Sequence, residues 1–139
     1  MSKTSIIVVF IVLLIGAYIY TTIRKIKKAS KAVDNKKIKI LTAANFQNQI
    51  KQGVTLVDFW ADWCMPCKMM VPVLNGVAEE IDDKVSIAKI NIEHAQSVAQ
   101  KYMVSSIPTI ILFKNGKEMN RFIGIKSKEF LLKQLKMYN

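Results

Sequence analysis

The pattern of apolar and polar positions changes character twice along the chain. From Ile6 to Ile23 it reads IIVVFIVLLIGAYIYTTI without a charge. As a helix rising ~1.5 Å per residue this stretch extends roughly 27 Å, which predicts a single membrane span over residues 1–23. Residues 24–37, RKIKKASKAVDNKK, have no sustained apolar face and read as a basic juxtamembrane linker, a frayed extension of the span followed by coil. From residue 38 to 139 short apolar runs alternate with helical spacings, which predicts one folded domain.

Within that domain Ile38 to Leu41 is a strand candidate, and Thr42 is placed to cap a helix from Ala43 to Lys51. Val54 to Trp60 (VTLVDFW) is an apolar run suited to the centre of a sheet. Met69, Met70, Val73, Leu74 and Val77 recur at core spacings in a helix from Met65 to Ile81, which Pro72 should kink. Val85 to Ile92 and Thr109 to Phe113 are further buried strands, with a short helix from Ala95 to Tyr102 between them. Asn115-Gly116 predicts a hairpin into a strand from Glu118 to Ile123, and Ser127 can cap a closing helix through Lys136. This order describes an α/β domain with a central mixed β-sheet flanked by helices, preceded by one N-terminal transmembrane helix.

Charge sharpens the division. The net charge of +11 would raise nucleic acid or an anionic membrane as partners. Residues 1–23, 24–39 and 40–139 contribute +1, +7 and +3, so sixteen residues hold most of it. The folded part shows no basic face with interleaved aromatics, and nucleic-acid binding is not expected. A dense run of bases after the span places the domain on the cytoplasmic side by the positive-inside rule. Two readings compete: a cleavable signal peptide, disfavoured by the length of the apolar run, and an N-terminal anchor that carries the domain across the membrane.

The chain has two cysteines, Cys64 and Cys67. Two thiols cannot build a four-cysteine metal site or a disulfide framework, and His94 is the only histidine, so no metal is expected. A Cys-x-x-Cys pair at the start of a helix has a physical reason for its placement. The free N–H groups and partial positive charge of the helix N-terminus stabilise a thiolate at the first cysteine. Cys64 is then the nucleophile, and Cys67, one turn deeper, resolves the mixed disulfide. Pro66 restricts the ring and lacks an N–H where the first turn leaves it unused. Trp63 would flank the nucleophile.

The stretch Val57-Asp58-Phe59-Trp60-Ala61-Asp62-Trp63-Cys64-Met65-Pro66-Cys67-Lys68 resembles the active-site segment of the thioredoxin family, and Ser106-Ile107-Pro108-Thr109 resembles its cis-proline loop. Leu41-Thr42, Asn45-Phe46, Pro72, Phe113-Lys114-Asn115-Gly116 and Gly124 extend the match across residues 38–139. The resemblance implies a thioredoxin-like fold and a thiol-disulfide oxidoreductase that reduces protein disulfides, draws electrons from an upstream thiol reductase, needs no cofactor and works as a monomer. It implies that Asp58 is the buried acid relaying a proton with Cys67, and that Lys89 is the lysine near it. It also implies a cis bond before Pro108, an Ile107 backbone that pairs with extended substrate, and a Gly124 that admits substrate backbone. Met65 stands where the family usually has glycine, adding a soft apolar side chain to the docking face. A reading from another class is a membrane-bound interaction module that keeps the fold as a scaffold; intact Cys64, Cys67 and Asp58 speak against it.

Overall fold

The computed structural model describes residues 3–30 and 34–138. The first helix, α1 (Lys3–Ser30), contains a 21-residue segment, Ser5–Lys25, long and apolar enough to cross a membrane, and none of it is buried. An apolar surface on every side of a helix calls for a cover, and the other described residues supply none over Ser5–Lys25. The hydroxyls of Thr21 and Thr22 each donate to the Tyr18 carbonyl at 2.9 Å, which satisfies them inside the helix. Helix continues through residues 24–30 of the basic stretch, further than sequence pattern alone marks it. Residues 31–33 lie outside the described residues.

The domain follows as β1 (Ile38–Leu41), α2 (Phe46–Ile50), β2 (Val54–Trp60), α3 (Met65–Glu80), β3 (Val85–Asn91), α4 (Gln96–Lys101), β4 (Thr109–Lys114), β5 (Lys117–Ile123) and α5 (Lys128–Lys136). The sheet order is β1-β3-β2-β4-β5; β3 pairs in parallel with β1 and β2, while β4 runs antiparallel to β2 and β5. It is the mixed, helix-flanked sheet expected.

Side chains alternate faces along a strand, and this sorts the core into two layers. Val54, Leu56, Val85, Ile87, Ile110 and Leu112 pack on one face with Met70, Leu74 and Val77 of α3 and with Leu131 and Leu135 of α5. Val57, Phe59, Ala88, Ile90, Ile111 and Phe113 pack on the other with Phe46 and Ile50 of α2 and Val98 of α4. There Phe46 meets Phe59, Tyr102 and Phe113 with ring centroids 5.3–6.0 Å apart. Truncating a fully buried side chain such as Leu74 to alanine costs about 2–5 kcal/mol in a layer packed this way.

Ser127 caps α5 by accepting from the Phe130 N–H at 3.2 Å. The turn at Asn115-Gly116 uses positive φ at both residues, 51° and 81°. Thr42 is not a helix cap: residues 43–45 form a turn, α2 starts at Phe46, and Asn45 Oδ1 instead accepts from the Thr42 N–H at 2.8 Å. Pro72 lies inside α3, which runs through it as one element.

Candidate active site

The central strand β2 delivers the chain to the site. After Trp60 it turns, and Cys64 takes the N-cap of α3 with extended backbone, φ −81° and ψ 103°. Its sulfur accepts from the Cys67 N–H at 3.2 Å, so one of the helix's free donors points at Sγ. Cys64 and Cys67 form a disulfide with Cα atoms 5.3 Å apart. Both residues are buried, packed among Ala61, Trp60, Ile92 and Ile107. Met65 and Pro66 occupy the first two helical positions and are exposed.

The surroundings of the pair are apolar and open. Trp63 is 68% exposed and Met65 51%. The Ile107-Pro108 bond is cis, Ile107 packs against the cysteines, and Pro108 is buried. The Pro108 carbonyl accepts from the Gly124 N–H at 2.8 Å, which ties the start of the β5–α5 connection to the proline loop. Gly124 has φ +79°, and a Cβ built there meets nothing within 4 Å. Ile123 and Ile125 on either side are exposed.

Asp58 lies at the opposite end of the site's polarity. It stands two residues from Leu56 on β2 and so belongs to the face covered by α3, the helix that carries Cys67. It is fully buried, and neither carboxyl oxygen has a hydrogen-bond partner among the described residues. Burial pushes its pKa up from 3.8 to about 7, against the opposing pull of Lys89. In the sheet register Lys89 is the direct neighbour of Asp58, and it too faces α3, in step with Val85 and Ile87.

The Lys89 ammonium is nevertheless bonded elsewhere. It donates to Asp34 Oδ1 at 2.9 Å and lies 4.8 Å from the centre of the Trp60 ring. Asp34 belongs to the segment before β1, which is fixed to the domain at the next residue: the Asn35 N–H donates to Asn75 Oδ1 of α3 at 2.7 Å. Sequence reasoning missed Asp34. As the one acid in a basic stretch it reads as part of a solvated tether, and no local pattern links it to a lysine 55 residues away. Among the described residues no group of three His, Cys, Asp or Glu is arranged to hold a metal ion.

Comparisons with known proteins agree with this geometry. The thioredoxin family model matches residues 37–137. The chain is 50% identical over 94 residues to a thioredoxin of Chlamydia pneumoniae, covering 68% of this chain and 91% of that one. It is 46% identical over 91 residues to a thioredoxin of Staphylococcus saprophyticus, covering 66% and 88%. Among solved structures, a single-substitution mutant of a thioredoxin from Halobacterium salinarum superposes with a TM-score of 0.68 at 28% identity, over 76% of this chain and 94% of that one. The chain therefore belongs to the thioredoxin family, and its Cys64–Cys67 pair makes it a thiol-disulfide oxidoreductase.

Proposed function

We propose that this chain reduces disulfides in partner proteins while tethered to a membrane by α1, with its domain on the cytoplasmic face. The observation that carries the catalytic part is the position of the Cys64–Cys67 disulfide: at the N-terminus of α3, against Ile107, with Trp63 and Met65 exposed beside it.

In the reduced chain the Cys64 thiolate, favoured by the N–H groups of α3, attacks one sulfur of the substrate disulfide. A Cys64–substrate disulfide forms and the other substrate sulfur leaves as a thiolate. Asp58 then accepts the Cys67 proton, directly or through one water. The Cys67 thiolate attacks Cys64 Sγ, the Cys64–Cys67 bond forms, and the second substrate thiolate is released and protonated. Two electrons have passed from the dithiol to the substrate, and an upstream thiol reductase must return them before the next turnover. A carboxyl with a pKa of about 7 suits this task, because it is substantially ionised near neutral pH and still basic enough to draw a thiol proton.

Substrate backbone lies in extended form along Ile107 and Pro108, and the open space at Gly124 accommodates it. Trp63, Met65 and Pro66 supply the apolar rim against which the substrate's flanking residues pack. Tethering rests on the exposed apolar segment Ser5–Lys25, and the cytoplasmic side rests on the bases beyond its C-terminal end.

One experiment addresses placement and activity together. Intact cells, spheroplasts and inverted membrane vesicles are treated with protease, and insulin-type disulfide reduction is measured in each membrane fraction. The proposal requires that the domain be cleaved only in inverted vesicles and that the activity sediment with membranes. Cleavage in spheroplasts places the domain outside the cytoplasm instead.

A further inference from the structure

The pairing of Lys89 runs against the layout of the sheet. Asp58 and Lys89 are register neighbours on the same face, the arrangement in which a buried acid and base ordinarily neutralise each other. Here the ammonium is bonded to Asp34, whose side chain keeps 29% of its exposure, while both oxygens of Asp58 stay without a hydrogen-bond partner among the described residues. Lys89 itself is almost wholly buried, its side chain 4% exposed, and it rests on the face of Trp60, so its charge is held by Asp34 and an aromatic ring.

We propose that Asp34 is a positioning residue for the proton transfer at Asp58: by holding the Lys89 ammonium it leaves the Asp58 carboxylate without an ion-pair partner, so that Asp58 keeps the basicity needed to take the Cys67 proton. A carboxylate in a formed ion pair is a weak base, because losing its charge strands the cation beside it. Asp34 removes that penalty by supplying the second negative charge. The charged groups that act on Asp58 are Lys89 from β3 and Asp34 from the segment before β1. Among the described residues that α3 buries, Cys67 alone is titratable once reduced, and the register partner of Asp58 on β4 is the apolar Ile110. The segment that joins the membrane helix to the domain thus contributes to the chemistry as well as the tether. The proposal rests on the reading of Asp58 as the base for Cys67.

The test uses the full-length chain, reduced, in lipid nanodiscs. Mixed with 5,5′-dithiobis(2-nitrobenzoate) in a stopped-flow instrument, it releases one thionitrobenzoate on attack by Cys64 and a second when Cys67 resolves the mixed disulfide; the second phase is followed against pH. Asp34→Ala frees Lys89 to pair with Asp58, and the acid limb of that phase moves down by about one pH unit with a lower plateau rate. Lys89→Met moves the limb up, and Asp34→Ala combined with Lys89→Met behaves as Lys89→Met alone. An unmoved limb in Asp34→Ala overturns the proposal, as does an equal downward shift in the Lys89→Met background, which would make Asp34 merely a nearby charge. Asp58→Asn is the control on the underlying reading: if it leaves the limb in place, Asp58 is not the base, and the role of Asp34 falls with it.

Discussion

Asp58 and Lys89 stand opposite each other in the register of β2 and β3, yet neither oxygen of Asp58 has a hydrogen-bond partner among the described residues and the lysine bonds to Asp34. A fully buried carboxyl left in that state costs stability whenever it is ionised.

The cost has a pH signature. The folded pKa of Asp58 is raised from 3.8 to about 7, so the folded chain binds this proton more tightly than the unfolded chain does. Its contribution to stability is full below about pH 4 and is lost as the pH rises through about 7. At ~1.4 kcal/mol per pKa unit the whole difference is about 4 kcal/mol. Asp58→Asn cannot titrate, and it should flatten the fall in unfolding free energy between about pH 4 and 8 by that order. Urea unfolding of the oxidised fragment spanning residues 34–139, across that range, measures it; an unchanged slope excludes Asp58 as the group responsible.

Gly124 offers a separation of binding from stability. Its φ of +79° is one that a side chain adopts only at a cost, and the space above it is open. Gly124→Ala should destabilise the domain by about 1 kcal/mol through backbone strain. Because the new methyl group points into the space assigned to substrate, KM for a protein disulfide should rise with kcat little changed. A raised kcat/KM would remove Gly124 from the docking surface.

Met65 should act on substrate choice more than on rate. Its side chain is half exposed beside Cys64 and belongs to none of the buried core clusters. Met65→Ala should lower kcat/KM several-fold for peptide disulfides flanked by leucine or phenylalanine, and by less for those flanked by serine. Steady-state kinetics on the two peptide sets checks this; equal losses in both make Met65 a general helix-start residue.

Much of the fold is legible in the residues alone, and the reason is locality. The bounds of β1 and β2 agree to the residue, because compact apolar runs between polar breaks leave little choice of register. The start of α3 is legible because Cys64 and Pro66 are both suited to a helix's first turn. Thr42 misleads because threonine and Asn45 compete for the same role, and Asn45 turns back on the Thr42 amide before the helix begins. The bond from Asp34 to Lys89 is beyond sequence patterning: it depends on where the chain before β1 is laid down, and Asn75 of α3 decides that. The apolar face around the cysteines is legible only residue by residue. Gly124, with exposed Ile123 and Ile125 on either side, reaches the proline loop through the bond from its amide to the Pro108 carbonyl, the rung that follows Thr109–Ile123 in the β4–β5 ladder.

Trapping tests the proposed division of labour between Cys64 and Cys67 most directly. Cys67→Ser in the full-length chain should accumulate mixed disulfides with partner proteins in cells, through Cys64 and reversible by dithiothreitol, while Cys64→Ser should capture none and lose at least ~100-fold in insulin-type disulfide reduction. A Cys64→Ser chain that reduces the substrate as fast as the parent, or captures partners in place of Cys67→Ser, contradicts the account.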